Sequence, residues 1–445
     1  METEAAIGAY ADALALVDAV RDQARPEDYA RLLALRANLM AARGDRSTVD
    51  AYRAALAVAD QEDKPLLRAR MGQAAVMEGD LATAATVLEG LEPTGGAADV
   101  PILLAKGNLA YVTGDVDTAW QASDQVCGLV RPEADTWQRL DLLGLQALIA
   151  HHRGELFSRL RVELRRAHDD PALARTLYEP YLCVAEYLLY GMTPYSEVRT
   201  MALSLRETAR RSGVLRAEAF ATALLGEAAL LAGELAEAER ELQDAVDLYR
   251  ELGAAAGEAS TLQRLAELRL LQGDRTEANR LLRQALPKAR WSMMALHMVQ
   301  RIFGTKILAA PDPQAARAVV EEATEVIGRE DRCGFCDIML AVPAAIACAD
   351  VGDITEARRN LSAAERSSLL WEGTAWQGAV LEARAHLARA AGHPDDGVRL
   401  LREAVVLFEQ AGQPLDAERC RSKALDDAWA TADVPSRPLS AAAGS

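Results

Sequence analysis

Apolar and polar positions along this chain recur in a fixed order around one landmark, a glycine followed by an acidic residue. Gly79-Asp80, Gly114-Asp115, Gly233-Glu234, Gly273-Asp274 and Gly352-Asp353 share it, and Gly392-His393 is a weaker copy. Five residues after each glycine stands a small residue: Ala84, Ala119, Ala238, Ala278, Ala357 and Gly397. Seven residues before it stands another: Gly72, Gly107, Gly226, Ala266, Ala345 and Ala385. In four units a leucine follows at nine residues (Leu242, Leu282, Leu361, Leu401) and an alanine at twelve (Ala245, Ala285, Ala364, Ala404).

Helix chemistry explains the order. Glycine takes the left-handed conformation that ends one helix, and an acidic residue beside it suits the positive start of the next. Small residues sit where two antiparallel helices cross, and the leucines fill the space between successive pairs. One pair cannot bury its apolar face alone, so neighbours must stack. The order resembles the tetratricopeptide repeat signature, which implies an all-α, right-handed superhelical solenoid of antiparallel helix pairs.

The landmark glycines keep time. Gly44 to Gly79 and Gly79 to Gly114 are 35 residues each, whereas Gly114 to Gly154, Gly233 to Gly273 and Gly352 to Gly392 are 40 each. Gly154 to Gly233 and Gly273 to Gly352 are 79 each, two units apiece, which predicts turns near Met192-Thr193-Pro194 and Pro311-Asp312-Pro313. The solenoid is expected over residues 1–430 with about ten helix pairs, and a change of sub-solenoid near residue 120 where the period lengthens. Residues 431–445, rich in Pro, Ser, Ala and Gly, are expected to form a disordered tail.

Composition adds three constraints. Half of the chain is hydrophobic yet only 5% is aromatic, so the apolar content is mostly Ala and Leu, both good helix formers. Lys and Arg number 49 against 66 Asp and Glu, a formal charge of −17 that disfavours direct nucleic-acid binding. No stretch reaches about 18 uncharged apolar residues and the start has no leader pattern, so a cytoplasmic protein without a membrane span is expected. The six cysteines do not form a secreted disulfide framework.

Phosphate-loop, dinucleotide, zinc-protease and serine-hydrolase motifs are absent, and nothing implies a cofactor. The best chemical candidate is Cys333-Gly334-Phe335-Cys336. Two cysteines at a helix start can pack there, form a redox pair, or supply two zinc ligands in want of two more. Trp291-Ser292-Met293-Met294-Ala295-Leu296-His297-Met298 carries soft donors at helical spacing, which suits adaptable core or copper(I). Tyr181 and Tyr187 in the tyrosine-rich middle, together with Trp291, Trp371 and Trp376, are candidates to line a ligand groove in an aromatic-poor chain.

The runs CGFCDIMLAVPAAIACADVGD, ARRNLSAAERSSLLWEGTAWQGAVLEARAHLARAAG and LFEQAGQPLDAERCR, within Trp291 to Arg421, carry a more specific likeness. They resemble the C-terminal repeat half of actinobacterial LuxR-type and antibiotic-regulatory transcriptional activators. That half is thought to sense a ligand or partner. The ATPase and helix-turn-helix parts of such regulators have no counterpart in this sequence. The resemblance implies sensing or scaffolding rather than DNA contact. The leading expectation is a non-catalytic repeat protein that takes a protein or peptide partner in its concave groove within a regulatory circuit, with homo-oligomerisation as a separate expectation. A small-molecule sensor and an enzyme lodged in the solenoid are its rivals.

Overall fold

The computed structural model describes residues 10–429 apart from 22–23, 44, 46, 131–137, 139–140, 143, 147, 150–184, 186–187, 192, 291, 293, 329–332, 372 and 427–428. Nineteen α-helices and one short 3₁₀ turn can be bounded among these residues, and others, such as 141–142, 144–146 and 188–190, are helical besides. The first seven are α1 (Tyr10–Arg21), α2 (Pro26–Arg43), α3 (Thr48–Val58), α4 (Lys64–Glu78), α5 (Leu81–Leu88), α6 (Asp99–Val112) and α7 (Val116–Leu129). The middle six are α8 (Tyr195–Ser212), α9 (Leu215–Ala232), α10 (Leu235–Leu252), α11 (Ala255–Leu271), α12 (Arg275–Arg290) and α13 (Ala295–Leu308). The last six are α14 (Pro313–Ile327), α15 (Ile338–Asp350), α16 (Ile354–Ser368), α17 (Ala375–Ala390), α18 (Pro394–Gln410) and α19 (Pro414–Leu425). Consecutive helices pack on one another from α1 to α7 and again from α8 to α19, as a tetratricopeptide-like stack requires.

The landmark glycine does what its position demands. At Gly79 the backbone is left-handed (φ 79°), and the Asp80 N–H reaches back to the Ala75 carbonyl at 2.8 Å. The Asp80 carboxylate then accepts from Thr83 N–H at 3.0 Å, so one dipeptide ends α4 and caps α5. Asp115, Asp274 and Asp353 repeat both bonds, to the carbonyls of Ala110, Arg269 and Cys348 and from the N–H groups of Thr118, Glu277 and Glu356. Left-handed glycines also stand at 213 and 253, so residues 213, 233, 253 and 273 mark off helices at 20-residue intervals. The two turns expected without a glycine are present: α8 begins just after Pro194, and Asp312 caps α14 through Ala315 N–H at 2.8 Å.

Small residues hold the crossings. A Cβ added to Gly226 would stand 2.7 Å from Leu242 and 2.9 Å from its backbone nitrogen, so α9 and α10 touch through that glycine. Leu242 itself has no exposed surface, a burial that stabilises by about 2 kcal/mol. Two layers result. Fourteen of the eighteen residues of α9 are buried, against six of eighteen in α10, so odd-numbered helices from α9 onward form an inner layer and even-numbered ones an outer. The inner helices α9, α11, α13, α15 and α17 pack on one another in order, α17 is bound to α19 through Glu382, and α19 returns to touch α9. The inner layer is therefore a closed ring. Gln413, just before α19, seals it by donating to the Leu189 carbonyl at 2.8 Å.

Candidate functional site

Two groups of chemistry-bearing side chains lie on the inner layer. The first gathers at the start of α15. Cys333 to Asp337 form a tight turn, with Asp337 N–H bonded to the Cys333 carbonyl at 2.9 Å. The Phe335 carbonyl accepts from Trp371 Nε1–H at 2.8 Å and from the Ser367 hydroxyl at 3.2 Å, and the Phe335 and Trp371 rings stack at 3.8 Å. This pins the turn so that Cys336 faces α13, whose first turn carries His297. Cys336 Sγ lies 3.6 Å from His297 Nδ1, and the donor atoms of His297, Cys333 and Cys336 all fall within 4.8 Å of one another. None of the three has exposed surface.

The far side of the His297 ring is also held. Its Nε2 is 2.6 Å from the Tyr111 hydroxyl on α6, a contact across 186 residues of sequence. Tyr111 has no exposed surface either. The close approach of α13 and α15 that unites this cluster passes through Gly304, which lies directly against the Met339 carbonyl.

The second group runs round the inside of the ring. Arg264, 2% exposed, reaches Glu227 Oε2 at 3.1 Å, Glu267 Oε2 at 2.7 Å and the Tyr190 hydroxyl at 3.0 Å. The Tyr190 ring leans on Trp376 at 5.1 Å, and Trp376 on Trp371 at 6.0 Å. Further round, Glu382 is bound by Arg419 Nη2 at 2.6 Å and Lys423 Nζ at 2.9 Å. Burial pushes the Glu382 carboxyl up, but the Arg419 and Lys423 charges prevail and hold it well below the usual carboxylate range. His386 Nδ1 faces Asp350 at 2.7 Å while Nε2 faces Lys423 Nζ at 3.0 Å. Burial, with the Lys423 charge, lowers the His386 pKa. The ammonium can only donate, so Nε2 accepts and Nδ1 carries the proton. Several inner polar side chains retain polar atoms with no hydrogen-bond partner among the described residues, among them Ser260 Oγ, Gln263 Oε1, both ends of the Gln300 amide, Trp376 Nε1 and Arg389 Nε.

The residues singled out from sequence fare differently. Cys333 and Cys336 are fully buried thiols outside any disulfide that come together with His297, a histidine drawn from the other soft-donor segment. Met294 and Met298 of that segment are buried within the packing. Trp371 is enclosed against Phe335, and Trp376 is half-buried next to Tyr190. Tyr181, Tyr187, Trp291 and the 431–445 tail lie outside the described residues. Sequence reading missed Tyr111, Arg264, Gln300 and His386. For Arg264, Gln300 and His386 the available signal was a polar residue on an otherwise apolar inner helix.

A scan against family models finds no match, and a search of curated proteins finds none. Among solved structures, a Rap protein complexed with competence and sporulation factor is similar over 73% of this chain and 96% of its own, at 12% identity and a TM-score of 0.44. The Cut9–Hcn1 hetero-tetramer of APC/C matches over 89% and 76% at 15% identity, with a TM-score of 0.49. Yeast Tom70 matches over 90% and 97% at 14% identity, with a TM-score of 0.34. The chain is a tetratricopeptide-like helical repeat protein. That statement rests on its own turns and crossings; likenesses this distant carry no argument about what it binds. No helix among the described residues is long and apolar enough to cross a membrane.

Proposed function

We propose that this repeat protein is non-catalytic and binds a protein or peptide segment along its inner helices, as the sensing element of a regulatory, transcription-linked circuit. The observation that carries the reading is the row of polar atoms without partners on α11, α13 and α17: Ser260 Oγ, Gln263 Oε1, the Gln300 amide and Trp376 Nε1. Each such group costs about 1–3 kcal/mol when buried unsatisfied. An extended peptide offers alternating carbonyls and N–H groups that answer both kinds. These atoms are out of contact with water, so entry requires the ring to open, and the junction of α9 with α19 is the joint furthest from any continuous chain connection. The regulatory part of the reading is supported by the sequence likeness of Trp291–Arg421 to the repeat half of transcriptional activators.

A small-molecule sensor is the second reading, favoured by the aromatic group of Tyr190, Trp371 and Trp376, the last of which carries one of these atoms. One experiment separates the two. The tagged full chain and its Gln300→Leu variant are purified from the native host and examined by native mass spectrometry. A polypeptide in stoichiometric complex with the wild type and lost from the folded variant supports the proposal. A released small molecule in its place supports the sensor. Equal complexes with both forms, or none with either, would sink binding through the inner row.

A further inference from the structure

The His297, Cys333 and Cys336 donors are arranged as ligands, and partner binding does not account for them. We propose that His297 Nδ1 and the Cys333 and Cys336 sulfurs hold a thiophilic divalent ion of the zinc class, with Tyr111 as the group that orients the imidazole.

Four observations converge on this. The first is spacing. Zinc bonds of about 2.3 Å to sulfur and 2.0–2.1 Å to nitrogen, at tetrahedral angles, put neighbouring S and N atoms about 3.5 Å apart. Cys336 Sγ and His297 Nδ1 stand at 3.6 Å, and the full set of three lies within 4.8 Å. The second is the imidazole's other nitrogen. A ligating histidine needs its second N–H held by an acceptor, which fixes both tautomer and ring plane. The Tyr111 hydroxyl, 2.6 Å from Nε2, is placed to accept that N–H, and in that tautomer the Nδ1 lone pair is directed at the sulfurs.

The third is charge. Two thiolates and a neutral imidazole around a divalent cation sum to zero, and a neutral site suits three donors with no exposed surface. Oxygen-seeking magnesium or calcium would find no carboxylate in this set. The fourth is support. The Cys333–Cys336 turn is fastened through the Phe335 carbonyl to Trp371 and Ser367, so the thiols are placed by a packed scaffold rather than a free loop. Because His297 and the cysteines stand on separate inner-layer elements and Tyr111 comes from α6, the ion would fasten the early repeats to the ring. Loading would accompany folding, since the three donors have no exposed surface in the finished protein, and a water taken in with the ion would complete its four ligands.

The test uses the purified full chain, with zinc as the added metal. Wild type is unfolded, refolded with zinc present, gel-filtered and assayed for bound metal, and a cobalt form made the same way is examined by absorption. One equivalent per chain is expected, with thiolate-to-cobalt charge transfer in the near ultraviolet. Cys333→Ser and Cys336→Ser should each lose the ion, whereas Cys348→Ala, a buried cysteine outside the cluster, should keep it. Tyr111→Phe should retain the ion with affinity about 10–100-fold weaker. A titration that needs no variant covers the case of misfolding: once the exposed Cys127 has reacted, a mercurial added to the native wild type should release one zinc for every two further thiols modified. A wild type that retains no zinc, equal zinc in wild type and in folded Cys336→Ser, or release unlinked to two thiols would overturn the assignment. Exclusive retention of copper(I) would overturn the zinc class.

Discussion

Gly304 of α13 lies against the main-chain carbonyl of Met339 on α15 so closely that a Cβ at that position would stand 2.1 Å from the oxygen. Backbone cannot swing aside as a side chain can, so the two helices would have to part. Gly304→Ala is expected to lower stability by about 3 kcal/mol, the upper end of the usual cost of overpacking. Gly114→Ala, at a left-handed turn with open space around it, should cost only about 1–2 kcal/mol of backbone strain. Urea unfolding of the two variants gives the comparison, and equal losses would show that helix contact is not what Gly304 provides.

Gln300 has no exposed surface and neither end of its amide has a partner among the described residues. Replacing it with leucine removes an unsatisfied group and keeps the volume. Gln300→Leu should therefore raise stability by about 1–2 kcal/mol, seen as a higher urea midpoint at unchanged slope. A lower midpoint would mean that the amide contributes to the fold in isolation.

His386 links pH to folding. Its pKa in the folded protein lies below the ordinary 6.5, because burial and the Lys423 charge oppose protonation. Above pH 6.5 the neutral ring contributes fully. As pH falls below 6.5 the unfolded chain takes up a proton that the folded ring resists, so stability declines, by at most about 1.4 kcal/mol per pH unit. Glu78 acts in the opposite sense, since burial pushes its carboxyl up to about 7. Folding therefore takes up a proton there between pH 7 and 4.5, and stability gains. The measurement is accordingly a difference, the unfolding free energy of wild type minus that of His386→Gln across pH 7.5 to 5.5. It should shrink as pH falls; a flat difference would refute the assignment.

Glu382 is 2% exposed and answers two cations on α19. Glu382→Gln should cost roughly 2 kcal/mol, less than the ~3–5 kcal/mol of breaking a fully buried pair, because the Arg419 side chain keeps 45% of its exposure. The loss should shrink as pH falls below about 4.5, where the unfolded chain takes up a proton at Glu382 that the folded carboxylate resists. Thermal melts at neutral and low pH read both halves of that expectation.

Neighbouring repeats were legible in the sequence because their contacts are periodic. Ala84, Ala119, Ala238, Ala278 and Ala357 all have no exposed surface, as a small residue at a helix crossing should. Contacts between distant turns follow no such period. They arise from small rotations summed over many repeats, which single residues do not encode. The pair Cys333 and Cys336 could be seen as a motif, and His297 as part of another, but their meeting depends on Gly304. A glycine inside an unbroken helical segment was the one sign that α13 would be approached closely. Tyr111 gave no sign, since an inward tyrosine reads as ordinary packing.

Closure of the inner layer changes what a repeat is worth. In an open stack, one 40-residue unit can be lost or duplicated and every remaining neighbour still fits. Here α19 must arrive at α9, and Gln413 at the Leu189 carbonyl, so the tally of units between them is set by geometry. Such a chain counts. Excising residues 233–272 would keep the rhythm of the glycines and still leave the two ends of the circle unable to meet.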